Sequence, residues 1–167
     1  MVSKIFSKRI RYFFTGDEHL DHSNVIKYCN RPFDSIEEMT EIIIRNFNEV
    51  VTPRDITVHV GDFALSGKKT VLNYIKRLNG NHIFIRGNHD RWMDRTYHEM
   101  WVKTIESQTV VACHYALRVW PQSHYGSWQV YGHSHGKLPP VGLQYDVGVD
   151  NNDFYPVSFE QLKEIFG

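Results

Sequence analysis

Five short segments of this chain place histidine, aspartate or asparagine in turns. They are Gly16-Asp17-Glu18-His19, Gly61-Asp62, Gly87-Asn88-His89-Asp90, Cys113-His114-Tyr115 and Gly132-His133-Ser134-His135. Imidazole mixed with carboxylate and amide oxygen, without a nearby thiolate pair, suits Mn, Fe, Zn, Ni or Co. It suits a structural zinc site or an oxygen-only Mg or Ca site less well. Asp17 and His19 are two residues apart, as are His133 and His135. In extended backbone that spacing sends both side chains the same way, so each pair is expected to grip a single ion. Seven donors exceed what one tetrahedral ion takes. Two ions about 3.5–4 Å apart, bridged by one carboxylate and a water, would use them all. Such a pair turns water into hydroxide at neutral pH and neutralises phosphate oxygens during in-line attack, which is the chemistry of phosphoester hydrolysis.

Strands must deliver these turns to one edge. Arg9 to Thr15 is an aromatic and β-branched run that stops at Gly16-Asp17, and Asp55 to Val60 stops at Gly61-Asp62. His82 to Arg86 runs into Gly87-Asn88 in the same way. Between them, Ser35 to Val51 spaces Ile36, Met39, Ile42, Ile43, Phe47 and Val50 by threes and fours, with Asp34 or Ser35 as N-cap and Pro53 beyond the end. Thr70 to Leu78 repeats the helical period and closes at Asn79-Gly80. Strand, helix, strand, helix, strand predicts an α/β domain with largely parallel central strands, whose ends converge at one edge. The second half predicts consecutive strands at Thr109 to Cys113, Trp128 to Tyr131 and Gln144 to Val149, then a helix from about Ser158 to Phe166. No internal repeat, low-complexity tract or linker interrupts this order.

Composition bounds the function. The 167 residues amount to one domain, 1–167, with 41% apolar and 23% charged residues. Nineteen basic residues cancel nineteen acidic ones, which excludes a broadly basic nucleic-acid coat and an acidic tail but not a small nucleotide held in one pocket. Cys29 and Cys113 are too few for a disulfide scaffold and lack CxxC spacing, so a reducing, cytoplasmic location is expected. Met1 to Arg11 has basic residues but no apolar run behind them, and fails as a signal peptide. Nowhere are there enough consecutive apolar residues for a membrane span.

The ordered series GDEH, GDF, GNHD, CHY and GHSH resembles the calcineurin-like metallophosphoesterases, whose motifs run DxH, GD, GNH, H and GHxH. The resemblance spans about Gly16 to Lys137 and is greatest to small bacterial and phage members. It implies a fold of two packed mixed β-sheets flanked by helices. It also implies two divalent ions, Mn foremost, with Asp17, His19 and His135 on the first, Asp62 bridging, and Asn88, His114 and His133 on the second. His89 matches the histidine that contacts phosphate and protonates the leaving oxygen. Asp90, next to it, is expected to hydrogen-bond the imidazole and orient the ring. Two features depart from the pattern: Phe63, Ala64 and Leu65 follow Gly61-Asp62 where many members have GDxxD, and the first motif opens with Gly16 where Ser or Asp is common. The chain is also short for the family, with little room for a cap domain, so an open site is expected.

Other residues carry two readings each. His22 either binds phosphate or substrate, or is a solvated turn histidine; Arg31 is either a phosphate clamp or an exposed loop arginine. His59 and His82, in strand-like runs, are expected to be satisfied within the sheet. Trp120, Tyr125, Trp128 and Tyr131 either stack a base or pack the loop before Gly132. Gly67-Lys68-Lys69-Thr70 lacks P-loop spacing and reads as a helix start. The expected substrate is a small phosphate ester or nucleotide, a diester ahead of a monoester. The alternative from another class is a scaffold that keeps the metal shell without catalysis.

Overall fold

Residues 9–167 are described by the computed structural model, so the signal-peptide reading of the N-terminus falls largely outside the described residues. The first half runs β1 (Tyr12–Thr15), α1 (Ser23–Tyr28), α2 (Ile36–Val50), β2 (Ile56–His59), α3 (Lys68–Ile75) and β3 (Asn81–Phe84). The second half runs β4 (Met100–Ile105), β5 (Gln108–Cys113), β6 (Trp128–Tyr131), β7 (Gln144–Asp146), β8 (Val157–Ser158) and α4 (Phe159–Phe166).

These strands form two sheets of four. In the first, ordered β3-β2-β1-β8, the three long strands are parallel, Phe14 pairing with Val58 and Val58 with Ile83, while β8 runs antiparallel to β1. In the second, ordered β4-β5-β6-β7, a β4–β5 hairpin is followed by two parallel pairings. Both sheets are therefore mixed, and helices flank them.

Period-2 alternation decides what each face of the first sheet meets. Phe14, Val58, Val60 and Ile85 pack with Val110, Ala112, Trp128 and Val130 of the other sheet and with Phe159 and Leu162 of α4. Each such fully buried side chain contributes about 1.5–3 kcal/mol. On the opposite side, Phe13 meets Phe47 and Val51, and Leu20, Met39, Ile43, Phe63, Val71 and Trp92 form a cluster beneath the first three helices. Ser35 Oγ accepts the Glu38 amide to start α2, and a reciprocal Ser158–Gln161 capping box starts α4. Gly67 is the N-cap of α3, as a helix start requires.

Three elements were not anticipated: α1, β8 and β4. The last is a largely exposed edge strand whose Trp101, Val102 and Lys103 do not alternate. Trp128 and Tyr131 are core residues and Trp120 donates its indole N–H to Ser127 O, so packing accounts for three of that loop's four aromatics; Tyr125 is exposed. No helix among the described residues is long and apolar enough to cross a membrane.

Beyond their strands, the loops remain tied together. Asp17 N–H donates to Gly61 O (3.0 Å), His19 N–H to Asp62 O (2.9 Å), Gly132 N–H to His114 O (3.1 Å) and Val149 N–H to Gly16 O (3.0 Å). The last bond joins the end of β1 in one sheet to the segment after β7 in the other, so the ends of β1, β2, β3, β5, β6 and β7 share one rim.

Candidate metal centre

At that rim the side chains collect into two groups. One oxygen or nitrogen from each of Asp17, His19 and His135 lies within 4.8 Å of the others, and the same holds for Asp62, His114 and His133. Asn88 Oδ1 joins the second group, 3.0 Å from His114 Nε2 and 3.1 Å from His133 Nδ1. Between the groups stands Asp62, whose Oδ2 is 3.6 Å from His19 Nε2 and 3.4 Å from His114 Nε2. All seven expected ligands are thus brought together, in the two sets the resemblance implies.

The pairing expected from extended backbone is corrected. His133 and His135 fall in different groups, and the turns are left-handed: φ is 56° at Asp17, 51° at His19, 57° at Asp62, 67° at His133 and 48° at His135. Such angles are uncommon for residues with a Cβ and persist where surrounding structure holds them. Glycine makes room for two approaches. A Cβ on Gly61 (φ 102°) would lie 2.5 Å from His114 Nδ1, and one on Gly87 would lie 2.2 Å from Asp62 Oδ1.

The donor set fits divalent ions. Asp17 Oδ1, Asp17 Oδ2 and His19 Nε2 are buried with no hydrogen-bond partner among the described residues, a costly arrangement unless a cation completes it. His114 Nδ1 sits 2.9 Å from Val60 O and His135 Nδ1 sits 2.7 Å from Asp150 Oδ2, so each Nδ1–H donates outward and each Nε2 faces the centre. Burial pushes Asp17 up to about 7 and His19 down to about 3. Burial would also raise Asp62, but hydrogen bonding and charge from His114, the His89 amide and His19 hold it at about 2, an ionised carboxylate between the two groups. His135, despite its burial, is raised by Asp150 and Asp17.

Two expected roles are overturned. Asp90 does not orient His89. Its buried carboxylate accepts from Asp62 N (2.6 Å), Phe63 N (2.9 Å), Gly87 N (2.9 Å) and Trp92 Nε1 (3.0 Å), with a longer bond from Ala64 N. Two adjoining turns present N–H groups that would otherwise lack acceptors, and Asp90 satisfies them. Arg31 is no phosphate clamp, nor is it exposed. Its buried guanidinium makes a fork with Asp150 (2.8 and 2.7 Å) and donates to Asp17 O (2.6 Å) and Glu18 O (3.0 Å), bracing the first loop.

His89 is half-buried beside the cluster. Its N–H donates to Asp62 Oδ1 (2.8 Å), its ring lies 5.3 Å from that of His19, and among the described residues no side chain hydrogen-bonds its ring nitrogens. His22 approaches from the other side, with Nδ1 3.2 Å from His19 Nδ1 and its ring 5.6 Å from that of His89.

Sequence reasoning missed the supporting layer. Asp150, held at about 2 against the effect of burial by His135 and Arg31, orients His135; Asp146 accepts from Gly136 N and Gly148 N. Glu18, pushed up to about 8 by burial, turns away from the centre to His59 Nδ1 (2.7 Å), and His59 Nε2 meets His82 Nδ1 (3.1 Å). His59 and His82 lie in the sheet, as expected; both ring nitrogens of His59 have partners, whereas His82 Nε2 is buried with no hydrogen-bond partner among the described residues. The available signal was Tyr145-Asp146-Val147-Gly148-Val149-Asp150, another strand running into acidic residues.

The fold is that of the metallophosphoesterases, and the chain belongs to the calcineurin-like phosphoesterase family, whose model matches residues 10–163. It is 32% identical over 168 residues to the uncharacterized protein MJ1445 of Methanocaldococcus jannaschii, covering 93% of this chain and 90% of that one. The protein of unknown function AQ665 from Aquifex aeolicus has the same fold, with a TM-score of 0.76 at 20% identity over 94% of this chain and 100% of that one. A double mutant of Vps29 from Entamoeba histolytica is more distant: TM-score 0.50, 16% identity, 83% and 73% coverage.

Proposed function

We propose that this chain is a two-ion phosphoesterase whose preferred substrates are nucleotide-type phosphodiesters. The observation that carries the reading is the position of Asp62 Oδ2 between His19 and His114, beside the unpartnered carboxylate of Asp17. Asp17, His19, His135 and Asp62 would hold one ion; Asp62, Asn88, His114 and His133 the other. When bound, such ions supply an acidified water and a positive field for the phosphoryl oxygens.

The remaining work falls to the chain itself. Asp62 Oδ1 fixes the His89 backbone through the 2.8 Å amide bond, which sets where the imidazole stands. His89 contacts the phosphoryl group and gives its proton to the departing oxygen, a role that needs an imidazole with free nitrogens next to the reacting atoms. His22 lines the same edge and contacts the substrate from the side of His19. The open rim supports a diester, because both ester arms can lie outside the cluster. The free thiols of Cys29 and Cys113 suit a reducing cytoplasm.

The test is hydrolysis of bis-p-nitrophenyl phosphate and p-nitrophenyl phosphate by protein stripped and reloaded with Mn, Fe, Ni, Zn, Co or Mg. Diester turnover that requires metal, and falls by about 10²–10⁴ in His89→Ala and also collapses in Asp62→Asn, supports the proposal. Turnover of the monoester alone would make the protein a phosphatase of small phosphorylated molecules. Stoichiometric ions without turnover would make it a metal-bound scaffold.

A further inference from the structure

A cleft of about 720 Å³ opens from the edge of the centre, its inner end lined by His22 and His89. That volume is in the range of small-ligand sites. The rest of its lining includes Leu65, Ser66 and Lys68, after β2, and Arg91 and Trp92, just past His89. A single phosphoryl group over the ligand cluster would leave this space unfilled.

The charges on its walls have one sign. No carboxylate lines the cleft, whereas Lys68 and Arg91 both do, exposed and outside any ion pair among the described residues. Nearby carboxylates are otherwise engaged: Asp21 accepts from Ser66 Oγ and from Tyr74 OH (2.6 Å), and Asp94 accepts from the Thr96 amide and hydroxyl, which chiefly lower its pKa, with a further contribution from the charges of Lys68 and Arg86. Between the cations and His89 the lining is mixed: Ser66 and Gly67 beside the exposed Leu65, and only an edge of Trp92, whose ring is buried among Phe63, Phe84 and Tyr97 and whose indole N–H goes to Asp90. An anion at the outer end, a spacer across the cleft and a phosphorus at His89 describe the ligand.

Resting on the phosphoesterase reading, we propose that the substrate carries a second phosphate beyond the scissile one. Lys68 and Arg91 hold it, and the spacer, a nucleoside or a similar group, spans the cleft past the exposed Leu65. A guanidinium fork matches phosphate oxygens, and an ammonium adds a point charge. The substrate class is that of a phosphate-bearing oligonucleotide end where the scissile group is a diester, as proposed above, and of a nucleoside bisphosphate where it is a monoester.

The test is binding, read by calorimetry on Mn-loaded His89→Ala protein so that turnover does not consume the ligand. Thymidine 3′,5′-bisphosphate is expected to bind about tenfold or more tightly than thymidine 5′-monophosphate, from one or two charge-assisted contacts. The advantage should largely vanish when Lys68→Gln and Arg91→Gln are added, and should shrink in high salt. Both sites are exposed, and a thermal melt checks that the variant is folded. A 5′-phosphorylated dinucleotide distinguishes the sources: binding as tight as the bisphosphate indicates an oligonucleotide end, weaker binding a free nucleotide. Equal binding of bisphosphate and monophosphate, or an advantage that survives the substitutions, overturns the inference. Wild-type turnover of bis-p-nitrophenyl phosphate separates it from the reading it rests on. Turnover without the bisphosphate preference sinks this inference alone; the preference without turnover sinks the hydrolytic reading and leaves Lys68 and Arg91 as phosphate ligands.

Discussion

Gly87→Ala is the smallest change that should disable the centre without replacing any of the candidate ligands. The added methyl would lie 2.2 Å from Asp62 Oδ1 and 2.3 Å from Asp62 N. A normal carbon–oxygen contact is about 3.3 Å, so the carboxylate must retreat by roughly 1 Å. The backbone nitrogen cannot follow freely, because Asp90 holds it at 2.6 Å. Asp62 stands between the two ligand groups, 3.6 Å from His19 and 3.4 Å from His114, so a shift of that size breaks its reach to one of them. Overpacking of this kind costs about 1–3 kcal/mol of stability, and a 1 Å misplacement at a reacting centre costs about 10²-fold in rate. The assay is a metal titration by calorimetry, a denaturant melt and turnover of bis-p-nitrophenyl phosphate. Gly67→Ala serves as the control for stability and metal binding, since nothing lies within 4 Å of its added Cβ. If Gly87→Ala binds two ions with wild-type affinity and turns over at the wild-type rate, Asp62 does not bridge as argued here.

Two further outcomes follow from the supporting layer and the titrating groups. Arg31→Ala removes the buried guanidinium and leaves the partly buried Asp150 with His135 alone, and should cost up to about 3–5 kcal/mol in a denaturant melt, with loss of the ion proposed for Asp17, His19 and His135 in metal analysis; a stable protein with only a raised KM would restore the phosphate-clamp role. Asp17 is raised to about 7 in the metal-free protein, so below that pH an incoming ion must displace a proton. Mn affinity should therefore climb about tenfold per pH unit up to pH 7 and then flatten, with proton release seen by calorimetry in buffers of different ionisation enthalpy; equal affinity at pH 6 and pH 8 would contradict it. The same shift has a stability sign. Because the folded pKa lies above the ordinary 3.8, the contribution of neutral Asp17 to metal-free stability is complete below 3.8 and lost as pH rises through about 7.

The parts of this protein legible in one dimension were those written in local chemistry. The apolar period of Ile36–Val50, the runs ending at Gly16, Gly61 and Gly87, and the donors after each glycine depend on neighbours in the chain, and the structure agrees with them. The division of the candidate ligands into two sets came from the family resemblance, whereas the spacing read as extended backbone would have paired His133 with His135. What only tertiary structure decided was which way a side chain turns when several partners compete for it. Asp90 is adjacent to His89, yet its carboxylate goes to amide groups of Asp62 and Phe63 on the neighbouring loop. Arg31 is 119 positions from Asp150, yet the two are locked in a buried pair. Both choices are set by the cost of leaving a polar group unpaired in the interior, and that cost exists only once the two sheets have closed and excluded water.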